Sequence, residues 1–180
     1  MVIGLGSGRA SGFAIQYLGR QLRSGAIKDI IGIPTSVDSA SEAAKAGVPL
    51  DQYRDSSKID LAFDDADVIE EQSLAAVIGR QKMQGGESII QEKVWRRASI
   101  GYAGPLGGDF PLVTKEGHNV LDVIFTSPIQ DLAEVADCLD QVVGVVEHGV
   151  ISRIPCTAVI ATKDGVRIVD NSVKIEGSRV

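Results

Sequence analysis

Four carboxylates stand where they could hold hydroxyls or move protons. Asp64, Asp65 and Asp67 directly follow Ile59-Asp60-Leu61-Ala62-Phe63. That run reads as a buried strand, and its C-terminal end is where open α/β sheets place their ligands. Carboxylates packed so closely repel one another, so at least one is expected to have a raised pKa and to trade protons near neutral pH. Solvated charge explains Glu70 and Glu71, which continue into a polar loop, better than it explains Asp64. Glu92 is the fourth candidate. It lies one helical turn after Ser88, beyond Gly85-Gly86, so its carboxylate could look back toward the strand ends. Taken alone, a helical glutamate is more often a surface residue.

Gly4-Leu5-Gly6-Ser7-Gly8-Arg9 invites a dinucleotide-binding reading, which fails at two points. That fingerprint needs a small residue where Arg9 stands and an acid closing the second strand, whereas Pro34-Thr35-Ser36 follows that strand here. What remains is a strand, a glycine loop and a helix N-terminus, which together present N–H groups to an anion such as phosphate. A tight turn with no ligand fits the same residues equally well. Ser7 has no histidine placed to activate it as a nucleophile. His118 and His148 are isolated, and Arg96 and Arg97 fit a solvated junction better than a phosphate clamp. Cys138 and Cys156 have neither metal-ligand spacing nor the look of a disulfide framework, so a reducing compartment and no metal are expected.

These groups need elements to position them. Across 180 residues, 44% are hydrophobic, 4% aromatic, and 20 are glycine, which suits an α/β protein packed with aliphatic side chains and joined by tight loops. The net charge of -6 disfavours nucleic acid as a partner. No apolar run is long enough to span a bilayer, and no secretory signal pattern is present. A usual strand has about five residues, so Val2–Leu5, starting almost at Met1, suggests a domain cut short at its front.

Expected elements are a helix from the glycine loop through Gly25, a strand at Ile30–Ile33, and a short helix opened by a capping box at Ser39-Ala40-Ser41-Glu42 and stopped by Gly47. Strands follow at Ile59–Phe63 and Leu74–Ile78, then a helix after Gly85-Gly86. Such alternation predicts a mostly parallel, Rossmann-like sheet. From Val94 to Pro111 periodicity disappears. Beyond it a hairpin is expected around Glu116-Gly117-His118-Asn119, a helix with Ser127 as N-cap, strands at Val142–Val146 and Val150–Ile151, and a terminal hairpin turning at Lys163-Asp164-Gly165.

The motifs resemble, in order and approximate spacing, those of type A ribose-5-phosphate isomerases. The resemblance is carried by Gly4-Leu5-Gly6-Ser7-Gly8, by Phe63-Asp64-Asp65-Ala66-Asp67, and by Gly85-Gly86-Glu87-Ser88-Ile89-Ile90-Gln91-Glu92-Lys93. Val113 to Asp122 and Ala161 to Val166 resemble the family's later hairpins, so the match runs through most of the chain. The first loop and helix look most like the divergent plant plastid branch.

The resemblance implies interconversion of ribose 5-phosphate and ribulose 5-phosphate through an enediolate, with no metal or organic cofactor. By it Glu92 is the base, and Asp64 and Asp67 bind hydroxyls and assist ring opening. Gly6, Ser7, Gly8, Thr35 and Ser36 would hold the phosphate or sugar hydroxyls, with Gly85, Gly86 and Lys82 completing the substrate site. The implied architecture is a sugar-phosphate-binding α/β domain (1–93 with 155–172), an irregular connector (94–111) and a small α+β, ferredoxin-like lobe (112–154). The implied partner is a small phosphorylated sugar, with no nucleic acid and no membrane. A homo-oligomer and the chloroplast stroma (otherwise the cytoplasm) are also expected.

The chain departs from the family pattern in four ways. Met83 stands where the family has lysine, Val68 where it has glutamate, and Gly8 where it has a hydroxyl. The segment before the small lobe is shortened and the N-terminal helix is missing. These departures point to weak or absent turnover, and keep a second reading open: a non-catalytic sugar-phosphate binder or heteromer-supporting member. An acyl- or CoA-handling enzyme would need a catalytic glutamate in another loop, where the sequence has none.

Overall fold

The computed structural model describes residues 1–52, 58–79, 93–99, 110–125 and 127–170. These fall into two compact units, Met1–Ala66 and Asp67–Val180.

In the first unit β1 (Val2–Leu5) lies between β2 (Ile31–Pro34) and β3 (Leu61–Phe63), all parallel. The connections carry α1 (Arg9–Arg23) and α2 (Val37–Ala46), giving the expected Rossmann-like alternation. Ile3, Leu5, Ile15, Ile30, Ala43, Ala46 and Val48 form the core. The helices approach closely because Gly19 faces Ala46: a Cβ on Gly19 would lie 2.2 Å from the Ala46 carbonyl oxygen.

Local rules set the ends of α2, at one end differently from expectation. Gly47 closes the helix at φ 71, a left-handed conformation that glycine adopts without steric cost. The capping box lies three residues earlier than expected, between Ser36 and Ser39. The Ser36 hydroxyl accepts from the Ser39 N–H and the Ser39 hydroxyl from the Ser36 N–H, each at 3.1 Å. Extended backbone at Ser36 (φ -149, ψ 166) makes this reciprocal pair possible. Glu42, expected in the box, instead pairs with Lys45 at 3.0 Å.

The second unit is antiparallel. β4 (Val68–Ile69) pairs with β5 (Ala76–Val77), which also pairs with β8 (Val150–Ile151). β6 (Lys93–Arg96) pairs with β7 (Leu121–Ile124). The start of the aperiodic stretch is thus a strand, held by a partner remote in sequence and by an ion pair in which the Arg97 Nε donates to both oxygens of Asp122. The hairpin expected around Glu116-Gly117-His118-Asn119 closes through an antiparallel bridge between Val113 and Asn119 and the Thr114 N–H donating to the His118 carbonyl at 2.9 Å, and Leu112 also donates to the Arg97 carbonyl.

α3 (Leu132–Asp140) begins later than Ser127, because the Asp131 carboxylate takes the Ala133 and Glu134 N–H groups at 2.7 and 3.3 Å. Asp is at least the equal of Ser as an N-cap and adds charge favourable to the helix dipole. Val142–Val146 is a turn rather than a strand: Val145 donates to the Val142 carbonyl, and Gly144 has φ 97. The terminal hairpin forms as expected from β9 (Thr157–Thr162) and β10 (Gly165–Asp170). No helix among the described residues is long and apolar enough to cross a membrane.

Candidate functional site

Parallel pairing of β1 with β3 brings the glycine loop beside the acidic strand end. Leu5 pairs with Phe63 as the two strands finish, and the Gly6 N–H continues the ladder by donating to the Phe63 carbonyl at 2.8 Å. The chain must pass here without side chains. A Cβ on Gly6 would lie 2.3 Å from the Phe63 carbonyl oxygen and 2.4 Å from Asp64 Oδ1.

Beyond this contact the acids divide their work. Asp64 Oδ1 accepts the Ser7 N–H at 2.9 Å and the Asp65 N–H at 2.9 Å. The Asp64 side chain is exposed, and no described residue donates to its Oδ2. Asp65 turns into the start of α1. Its Oδ2 accepts the Ala10 N–H at 3.0 Å, and its Oδ1 accepts both the N–H and the hydroxyl of Ser11 at 2.7 Å. A helix leaves its first N–H groups without internal partners and carries partial positive charge there. Asp65 supplies acceptor and countercharge together, from 54 residues away from Ser11 along the chain.

The pKa of Asp65 is lowered. Burial, the largest single effect, raises it, but the Ser11 hydroxyl and the N–H groups of Ala10, Ser11 and Arg9 together outweigh burial.

The departure at Gly8 acquires a steric cause. Gly8 has φ 121, and a Cβ there would lie 2.4 Å from Asp65 Oδ2. The carboxylate occupies the space that a side chain at position 8 needs.

On the neighbouring strand the Thr35 N–H and hydroxyl both donate to the Leu5 carbonyl, at 3.0 and 3.1 Å. Ser36 is engaged in its cap. Gly6, Ser7, Gly8, Thr35, Ser36 and Asp64 therefore all fall at or beside the carboxyl ends of three adjacent strands. Asp67 opens the second unit, where its N–H donates to the Val77 carbonyl at 2.8 Å. Lys82, Met83, Gly85, Gly86 and Glu92 lie outside the described residues. Sequence reasoning missed the part played by Ser11, and treated Asp65 only as one of a charged cluster. A serine in the first helical turn was the available signal for Ser11, but its partner is remote in sequence.

Comparison with known proteins agrees with this arrangement. A family model described as ribose 5-phosphate isomerase A (phosphoriboisomerase A) matches residues 31–102 and 90–165. The ribose-5-phosphate isomerase A of Gluconobacter oxydans is 30% identical over 210 residues, covering 92% of this chain and 87% of that protein. The probable ribose-5-phosphate isomerase 3, chloroplastic, of Arabidopsis thaliana is 28% identical, covering 93% and 76%. A solved D-ribose-5-phosphate isomerase in complex with phospho-erythronic acid superposes with TM-score 0.76 at 24% identity, covering 95% of this chain and 91% of that one.

Proposed function

Because the chain belongs to the ribose 5-phosphate isomerase A family, we propose that it interconverts ribose 5-phosphate and ribulose 5-phosphate. The reaction is a proton transfer beside a carbonyl. Opening of the sugar ring frees the C1 aldehyde. A base removes the proton from C2, giving an enediolate, and the proton returns at C1 while the hydroxyl proton moves between the two oxygens. Such chemistry needs one positioned base and groups that hold the developing oxyanion.

The observation that carries this reading is the juxtaposition of Asp64 with the Ser7 loop at the carboxyl ends of β1 and β3. In the roles we assign, Glu92 moves the proton between C1 and C2. Asp64 and Asp67 hold sugar hydroxyls and assist ring opening, Asp64 through Oδ2, to which no described residue donates. Ser7 and Thr35, with the backbone of Gly6, Gly8 and Ser36, line the sugar side. Lys82, Gly85 and Gly86 are assigned to the same substrate site. A direct assay on ribose 5-phosphate tests this. Turnover together with exchange of the C2 proton into solvent, both lost in Glu92→Gln, is the expected result; unchanged exchange in that variant refutes the assignment.

Finer placement belongs to the same proposal. The first loop and helix support the plant plastid branch and a stromal location, although the bacterial relative is slightly more identical than the plant one. The protein's distribution between purified stroma and cytosol, read by immunoblot, checks it. A homo-oligomer is supported by the exposed valines of the 142–146 turn, Val143 being 101% exposed; sedimentation velocity reads it directly.

A further inference from the structure

We propose that Asp65 is the positioning residue of this site: an internal anion that fills the N-terminus of α1, pins the glycine loop to the strand end and thereby fixes the Asp64 carboxylate. The inference rests on the isomerase reading for its kinetic consequence, and on geometry alone for its structural one.

Asp64 is oriented by two N–H groups, and the Asp65 side chain acts on the second of them. One is the Asp65 backbone N–H; the other belongs to Ser7, which lies in the loop whose far end the Asp65 side chain grips at Ala10 and Ser11. Both Asp64 bonds fall on Oδ1, which fixes the position of that oxygen beside the loop. Releasing Asp65 therefore frees Gly8 to Ser11 and with them the Ser7 N–H. Gly8 and Asp65 are sterically matched, since the carboxylate occupies the place of the missing Cβ. The N–H groups at the head of α1, the natural seat for a phosphate, already hold a carboxylate, so a substrate phosphate is excluded from that seat.

The test uses the full chain and inorganic phosphate as the probe. In the wild type the backbone amide resonances of Arg9, Ala10 and Ser11 should not move on phosphate titration. In Asp65→Ala they should shift saturably, and phosphate should become a stronger competitive inhibitor. kcat should fall about ten- to a hundredfold, the scale expected for a mispositioned group, with KM changing less. The neutral isostere Asp65→Asn should restore part of kcat. If Asp65→Ala does not fold, Ser11→Ala decides: it keeps the charge, so its Arg9 and Ala10 amides should ignore phosphate while kcat falls severalfold. Wild-type amides that respond to phosphate overturn the proposal. So does a folded Asp65→Ala with silent amides, or a folded Ser11→Ala with unchanged kcat. A wild type that turns over no ribose 5-phosphate refutes the isomerase reading instead, and the amide titration still decides the role of Asp65.

Discussion

Asp65 Oδ1 holds the Ser11 N–H and the Ser11 hydroxyl at the same distance, 2.7 Å. One oxygen of a residue after β3 thus satisfies two donors in the first turn of α1. This tie joins the acidic strand end to the glycine loop, and most of what can be tested about the site follows from it.

Stability at low pH should report that tie. The pKa of Asp65 is lowered in the folded chain, so its contribution is present above the unfolded value of about 3.9 and is lost as pH falls through the folded value. Acid unfolding of the wild type should be steeper below about pH 4 than that of Asp65→Asn. Equal slopes, followed by circular dichroism, would exclude Asp65 from the acid transition.

Gly8→Ala should be among the more damaging single-methyl additions in the chain. It places a Cβ 2.4 Å from Asp65 Oδ2 at a backbone φ of 121. Strain of this kind typically costs about 1–3 kcal/mol, and thermal melting should show the loss. Combining it with Asp65→Ala should recover part of the melting temperature, because the carboxylate contacts at 2.4 and 2.5 Å disappear while the Asp65 Cβ stays 2.8 Å away. Simple additivity of the two losses would contradict a steric match.

Ser36→Ala should act on stability. The hydroxyl is committed to the Ser39 N–H at 3.1 Å, so its removal should cost about 1 kcal/mol in denaturant unfolding. Ser36→Asp should restore most of that, since Asp caps equally well. A rise in KM for ribose 5-phosphate in Ser36→Ala, without loss of stability, would instead make Ser36 a direct substrate contact.

Glu92→Gln should lower kcat by about 10²–10⁴, the usual contribution of a placed general base, with thermal stability unchanged. Retained isomerisation at wild-type rate would move the base elsewhere.

How much of this was legible beforehand differs from residue to residue. Gly47 announced the end of α2, and the Lys163-Asp164-Gly165 turn announced the last hairpin, because local backbone preference decides both. Val142–Val146 was misleading. Its valines suit a strand, but the structure turns at Gly144, and β propensity carries little weight where no described strand pairs with the segment. β6 was invisible for the converse reason: Lys93–Arg96 shows no pattern of its own and becomes a strand only against Leu121–Ile124.

The sequence by itself determined the family, the strand–loop–helix order and the position of the acidic cluster, all properties of neighbouring residues or of motifs in series. Only the tertiary structure decided which acid does what. Asp64 and Asp65 are adjacent and chemically identical, and nothing local separates them. They part because the parallel pairing of β1 and β3 brings the head of α1 within hydrogen-bond reach of Asp65, while leaving Asp64 Oδ2 without a described donor. Charge in a row is a sequence property; the partner that sets its role arrives only with the fold.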